Sequence, residues 1–442
     1  MIQLSDHFTY KRLLRFTFPT IIMMIFSSIY GIVDGFFVSN FAGKTPFAAV
    51  NFIMPFLMIL GAFGFVFGTG GSAIVSKTLG EGNAKKANSL FSMITYISII
   101  FGVVLAAIGI VLIRPIAAVL GAEGEMLELC VIYGRIILVA LPAFMLQMEF
   151  QSFFVTAEKP SLGLLTTVAA GIANMILDAL FIAVFRWGIV GAALATAISQ
   201  VVGGLLPILY FSCKNKSLLR LTKFEFDGRA LLKTCTNGSS ELMTNISMSV
   251  VGMMYNIQLM KYAGENGVAA YGVLMYVSFV FQSVFIGYIV GIAPIVGFHY
   301  GAQNDTELKS LLKKSAALIS IASVIMFFAG ELLGRPFSVI FVGYDSELLS
   351  LTSYAFSIFS LSFLFSGFSI FGSSFFTALS DGLTSALISF LRTLVFQIAA
   401  IIIFPLVWDI DGIWWSIVAA EAMAVLVTLF FLVIKRKKYK YM

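Results

Sequence analysis

The chain has 442 residues, 60% of them hydrophobic and only 11% charged, with a mean hydropathy of +0.99. That balance leaves too little polar surface to face water, which excludes an ordinary soluble globular domain and points to a polytopic membrane protein. The formal charge of +6 is spread over loops and a tail, so it does not mark a nucleic-acid surface and no nucleic-acid partner is expected.

The N-terminal stretch carries His7, Lys11, Arg12 and Arg15 ahead of an apolar run with no small-residue cleavage site, which predicts a retained first helix rather than a signal peptide. A span needs about 20 apolar residues. On that basis spans are predicted near 16–39, 47–76, 89–113, 125–155, 161–184, 190–212, 237–262, 268–297, 311–333, 346–379, 383–407 and 412–434. A transmembrane barrel would alternate apolar and polar residues, and runs such as Ile97 to Leu105 do not. The expected fold is all-α, about twelve transmembrane helices in two pseudo-symmetric six-helix bundles.

Loops on the N-terminal side hold Lys77, Lys85, Lys86, Lys159, Lys214, Lys216, Arg220, Lys223, Arg229, Lys233, Lys309, Lys313, Lys314 and the tail from Lys435 to Lys440. The other side has Lys44, Arg114, Arg186, Lys261 and Arg335. The positive-inside rule then makes both termini cytoplasmic in a cytoplasmic (inner) membrane, with membrane lipid as surroundings and a monomer as the expected unit. Residues 1–212 read as an N-lobe and 237–442 as a C-lobe. Between them, 213–236 reads as a cytoplasmic linker with a short interfacial helix, because Phe224, Phe226, Leu231 and Leu232 alternate with Lys223, Arg229 and Lys233. The three cysteines, Cys130, Cys213 and Cys235, have no metal or disulfide spacing and read as small apolar residues.

The halves repeat. Arg114-Pro115 recurs 221 positions later as Arg335-Pro336, and the same offset pairs Phe41-Ala42-Gly43 with Tyr262-Ala263-Gly264, Thr156-Ala157 with Thr377-Ala378, Trp187 with Trp408, and Gly191 with Gly412. An even number of spans per copy makes the copies parallel, with a cavity expected between them.

One stretch, Ile29 to Val38, carries Asp34 where a spanning helix should hold no charge. Such a carboxylate costs roughly 2.5–3.5 kcal/mol on insertion scales and marks a functional site by default. In the fifth span Asn174 and Asp178 stand four residues apart, on one face, and Ala192 and Thr196 have the same relation in the sixth. Counting inward from the helix ends at about 1.5 Å per residue puts Asp34, Asp178 and Thr196 at a common depth. Oxygen donors of this kind suit a hard cation, and two carboxylates in a low-dielectric site resist joint ionisation, so either Na⁺ or H⁺ fits. The offset of 221 places Tyr255, Val395, Ala399 and Ile417 at the matching positions, so the second half lacks this site.

Pro19 followed by Tyr30-Gly31-Ile32-Val33-Asp34, the Asn174-x-x-x-Asp178 pair, and Gly191-Ala192-Ala193-Leu194-Ala195-Thr196 resemble the multidrug and toxic compound extrusion (MATE) family, in its DinF-like or MepA-like branch. That resemblance implies a secondary antiporter without a cofactor, expelling amphipathic, mostly cationic compounds against Na⁺ or H⁺. It implies an ion-coupling set of Asp34, Asn174, Asp178, Ala192 through its carbonyl, and Thr196, with Na⁺ held at Asp34, Asn174, Asp178 and Thr196. It further implies a helix-one hinge at Pro19 and a drug-pocket position at Tyr30. The Asp-Tyr pair of the NorM-like branch is missing, since its helix-ten positions fall near Ser362 and Ser366, while Glu241 of the seventh span lies nearer the inner end than that branch's acid and reads equally as a dipole-stabilised helix-start residue or a cavity group.

Asn51, Gln147, Glu149 and Gln151 are further candidates for the substrate cavity, while Arg135 and Arg392 are expected to pair with acids or snorkel. The Gly68-Thr69-Gly70-Gly71 run lacks the lysine and strand of a phosphate cradle and reads as a close helix contact. Two other functions remain open at this point. A lipid-linked oligosaccharide flippase would want a cavity rich in Arg and Lys, and an ion channel would use both halves equally. An enzyme is not expected, because no nucleophile and base or metal triad shares one depth.

Overall fold

Apolar runs bounded by short polar capping residues make nearly the whole chain helical. Thr9 accepts from the Arg12 N–H, Asn83 from Lys86, Asn304 from Glu307 and Asp381 from Thr384, each satisfying a backbone donor that a helix start leaves open. The computed structural model describes residues 2–442, and among these it contains helices and no strand. In chain order they are α1 (Tyr10–Phe37), α2 (Lys44–Gly80), α3 (Ala84–Val119), α4 (Gly124–Thr156), α5 (Pro160–Asp178), α6 (Gly188–Ser212), α7 (Gly228–Gly301), α8 (Asp305–Val342), α9 (Ser346–Ser360), α10 (Phe363–Ala378), α11 (Gly382–Phe390), α12 (Phe396–Ile403) and α13 (Pro405–Tyr439).

Ten helical stretches are long and apolar enough to cross a membrane, and α9 with α10, bent by 49°, make an eleventh crossing. At 74 residues α7 is about twice the length of α8 and breaks at Gly264 (φ 60°, ψ −152°), so it crosses twice. The chain therefore traverses the membrane twelve times. Large apolar side chains such as Val111, Val119, Leu332 and Ile340 are left on the outside of the bundle, where lipid rather than water would meet them.

The linker departs from expectation. No separate interfacial helix forms, and 213–227 is non-helical. Side chains of α3 hold this segment extended: Asn88 accepts from Arg220 N–H at 2.6 Å, Ser92 from Thr222 N–H at 2.8 Å and Ser89 from Glu225 N–H at 3.2 Å, while Phe224 stacks on Tyr96. With its amides satisfied by α3, the strap gains nothing from coiling. Asp227 then caps Arg229 and Ala230, and Arg229, Leu231, Leu232 and Lys233 join the first turns of α7 while Phe224 and Phe226 stay in the strap.

At the end that carries both termini, α2 and α7 meet backbone to backbone. A Cβ on Gly70 would lie 2.1 Å from the Thr234 carbonyl oxygen, and one on Gly238 would lie 2.2 Å from that of Val66. Around this seam the N-terminal segment forms a plug with Leu4 and Phe8 fully buried. Leu4 N–H donates to Glu158 at 2.6 Å, Phe8 N–H to Glu307 at 2.9 Å, and Lys314 donates to the Phe8 carbonyl. At the opposite end Gly31 and Gly35 of α1 and Gly252 and Gly272 of α7 have nothing within 4 Å of an added Cβ. The halves are closed at the terminal end and apart at the other.

This closure has a direct test. A Gly238→Val substitution must push α7 off α2, so labelling of Cys235 by a water-soluble maleimide in a Cys213→Ser background is expected to accelerate several-fold, whereas Gly252→Val, in open space, is expected to leave it unchanged.

Candidate ion and substrate site

Near the open end α1, α5 and α6 bring four polar side chains together. Thr196 Oγ1 on α6 donates to Asp34 Oδ1 on α1 at 3.5 Å, and Asp178 and Asn174 on α5 face the same carboxylate. Asp178 is 0% exposed and Asn174 2%. Both Asp178 carboxylate oxygens and the Asn174 carbonyl oxygen are buried without a hydrogen-bond partner. Thus only neutral donors, the Thr196 hydroxyl and the Asn174 amide, reach the Asp34 carboxylate, and three buried oxygens beside it have none, an arrangement that a bound cation or proton would satisfy.

Local backbone marks the same place. A π turn, Ala179–Val184, begins at the residue after Asp178, and another, Val38–Ala42, begins one turn after Asp34. Such widened turns interrupt the regular hydrogen-bond ladder and recur at functional positions.

Other expected residues fall into two groups. Tyr30 is half-buried against Phe26 with its hydroxyl toward Gln147, and Gln147 is itself buried where Gly203 of α6 leaves it room. Ala192 is buried one turn before Thr196. Pro19 lies within α1, which is helical on both sides of it. Away from this group, Glu149 accepts from Thr95 Oγ1 at 3.0 Å with Gly68 against its Cα, so it faces the α2–α3–α4 interior. Gln151 is buried with its carbonyl oxygen unpartnered, and Asn51 is exposed and donates to the Phe47 carbonyl of its own helix at 2.9 Å.

Sequence reasoning missed Tyr133 of α4, which is 1% exposed and turns its hydroxyl to Thr196 beside both aspartates. The depth count that brought Asp34, Asp178 and Thr196 together would have found it had it been extended to the phenols of the fourth span.

The second half provides the contrast. Tyr255, at the position matching Asp34, donates to Gln397 Oε1 at 2.9 Å, meets Ser416 Oγ at 2.8 Å and stacks on Tyr271. Nearby, Arg392 pairs with Glu421 at 2.9 Å with both side chains nearly buried, as the expectation for an intramembrane arginine required. The Tyr255, Gln397, Ser416, Arg392 and Glu421 side chains thus have partners, whereas the Asp178 carboxylate oxygens do not.

Comparison with known proteins places this geometry in context. The MatE family model matches residues 19–180 and again 242–403, once in each half. The multidrug export protein MepA of Staphylococcus haemolyticus is 25% identical over 426 residues, covering 95% of this chain and 92% of its own. Among solved structures, an outward-facing multidrug resistance MATE family transporter of the MOP superfamily superposes with a TM-score of 0.93 at 22% identity, over 99% of this chain and 98% of that one. A MOP-superfamily transporter from Pyrococcus furiosus gives 0.91 at 22% identity over the same shares.

The contrast between halves predicts opposite stability effects. In Na⁺-free buffer Asp178→Asn replaces a buried carboxyl group whose oxygens have no donor by a neutral amide of the same shape, so its thermal midpoint is expected to equal or exceed that of the parent protein. Tyr255→Phe deletes a hydroxyl that serves two buried partners and is expected to lower stability by about 1–3 kcal/mol. Detergent-phase melting curves of the two variants measure both.

Proposed function

Since the chain belongs to the MatE family, we propose that it is a multidrug exporter of the cytoplasmic membrane, with both termini cytoplasmic, in which Na⁺ or H⁺ entering at the Asp34, Asn174, Asp178 and Thr196 cluster drives amphipathic cations outward. The observation that carries this reading is the three unpartnered buried oxygens of Asp178 and Asn174 beside Asp34 in one half, set against the mutually bonded Tyr255, Gln397 and Ser416 in the other. The MepA relative, named as a multidrug export protein, supports the transport class.

Coupling requires the ion and the drug to bias one inward/outward equilibrium in opposite directions. Tyr30 lies one helical turn from Asp34 and faces Gln147, so a drug resting on that pair would sense whether the carboxylates are occupied. With the terminal end closed and the other open, the described state is the one that releases drug to the outside and accepts the ion.

Asp34→Asn and Asp178→Asn are expected to cut ethidium efflux at least ~10-fold at normal membrane abundance, a loss of on the order of 1.4 kcal/mol of coupling. Tyr255→Phe and Ala399→Ser, at the matching positions of the second half, are expected to retain substantial transport per folded molecule. Equal failure of both pairs would place the driving site elsewhere.

The ion itself is identified by imposing Na⁺ and pH gradients separately on vesicles loaded with ethidium. One gradient is expected to drive extrusion and the other to leave it at the leak rate; extrusion at full rate with neither present would remove antiport as the mechanism.

A further inference from the structure

The second half contains a cavity that the interlobe mechanism does not use. It measures about 930 Å³ and lies between α10 and α13, within the size range of small-molecule pockets. Leu361, Leu364 and Phe365 form one wall, and Trp415, Val418 and Ala422 the other. Phe404, Trp408, Asp409 and Asp411 line its outer end, around the break in α13 at Trp408 and Asp409. Ala422 stands ten residues past Gly412, so the slot runs inward by roughly 15 Å from the outer end.

Comparison of the two halves explains why it exists. In the first half Gly203 and Gly204 let α6 rest on α4, a Cβ on Gly204 falling 2.4 Å from the Ala143 carbonyl oxygen. Their counterparts 221 positions on are Ala424 and Val425, so the second half lacks the glycine pair that allows this close approach. The α9/α10 span also bends by 49° at Leu361–Ser362, whereas α4 is continuous. Deeper in, Gly372 meets Thr428 and closes the floor.

Its chemistry is specific. Two indoles and two phenyl rings surround an apolar slot, and the only charged groups on its lining are carboxylates. Among the described residues neither Asp409 nor Asp411 forms an ion pair; Asp411 faces the Tyr354 hydroxyl. Phe404 and Trp408 pack edge to face at 5.3 Å, and Asp409 sits in the left-handed half of backbone space (φ 46°), which turns the chain over the mouth. Aromatic faces and unpaired carboxylates together select an organic cation with an apolar body.

We propose that this slot is a second binding site, separate from the ion cluster and from the gap between the halves, that takes a hydrophobic organic cation with its charge at Asp409 and Asp411 and its apolar body between Phe365 and Trp415. Its lining carries two tryptophans, Trp408 and Trp415, so occupancy is readable by fluorescence. The test uses the full chain in nanodiscs with Trp187→Phe to remove the distant indole, titrated with tetraphenylphosphonium and, separately, with the same-shaped anion tetraphenylborate.

Saturable quenching by the phosphonium and not by the borate is expected. Its affinity is expected to fall at least ~10-fold in Asp409→Asn/Asp411→Asn and in the cavity-filling Ala422→Phe, and to persist within about twofold in Asp34→Asn, which disables the proposed coupling site alone. Equal quenching by both ions, or a phosphonium affinity untouched by both sets of substitutions, would overturn the proposal. Quenching by brominated phospholipid that the phosphonium cannot displace would assign the slot to lipid and likewise overturn it. Loss in Asp34→Asn but not in Asp409→Asn/Asp411→Asn would place the ligand in the first half instead.

Discussion

A carboxylate buried among other acceptors is unstable unless something positive joins it, and the first half of this transporter is built around that deficiency. Both Asp178 oxygens and the Asn174 carbonyl oxygen lack a partner, and the donors that reach Asp34, the Thr196 hydroxyl and the Asn174 amide, are neutral. A fold could remove the penalty with one lysine or arginine, as Arg392 does for Glu421 in the other half. That it does not do so leaves the cluster open to an exchangeable cation, which is what the proposed coupling of ion movement to a conformational change requires.

The surrounding structure fits that dependence. The α2–α7 seam, with Gly70 and Gly238 at its centre, holds the terminal end together, while the opposite halves of α1 and α7 stand free. A cation that draws α1 toward α5 and α6 therefore acts on a helix with room to move at one end and a fixed contact at the other. The buried N-terminal plug, tied to Glu158 of the first half and Glu307 of the second, has to be released if the terminal end is to open.

Much of the fold was legible in the sequence because membrane burial writes itself into composition. The twelve crossings, the 221-residue repeat and the all-helical class follow from apolar runs and recurring landmarks, and the family match in both halves agrees with the repeat. Depth counting also brought Asp34, Asp178 and Thr196 together. Side-chain facing across three helices was less legible. Glu149 and Gln147 are two residues apart on α4 and so point to nearly opposite sides, but nothing in the sequence said which side held α3 and which held α6. The linker failed for a related reason: its alternation of apolar and basic residues suited an interfacial helix, yet the amide partners on α3 that hold it extended are more than a hundred residues away in the chain. Tyr133 and the Tyr255 knot were missed because a tyrosine in a span reads as ordinary apolar packing until its hydroxyl's partner is seen.

The central claim is that ion and drug share one equilibrium through the first-half cluster, and the most direct measurement is ethidium affinity of the purified protein across a Na⁺ series and across about pH 5 to 8. Reciprocity predicts that affinity falls as one of the two cations rises, and that the dependence vanishes in Asp178→Asn. An affinity that stays constant in both series with Asp34 and Asp178 intact would contradict the account.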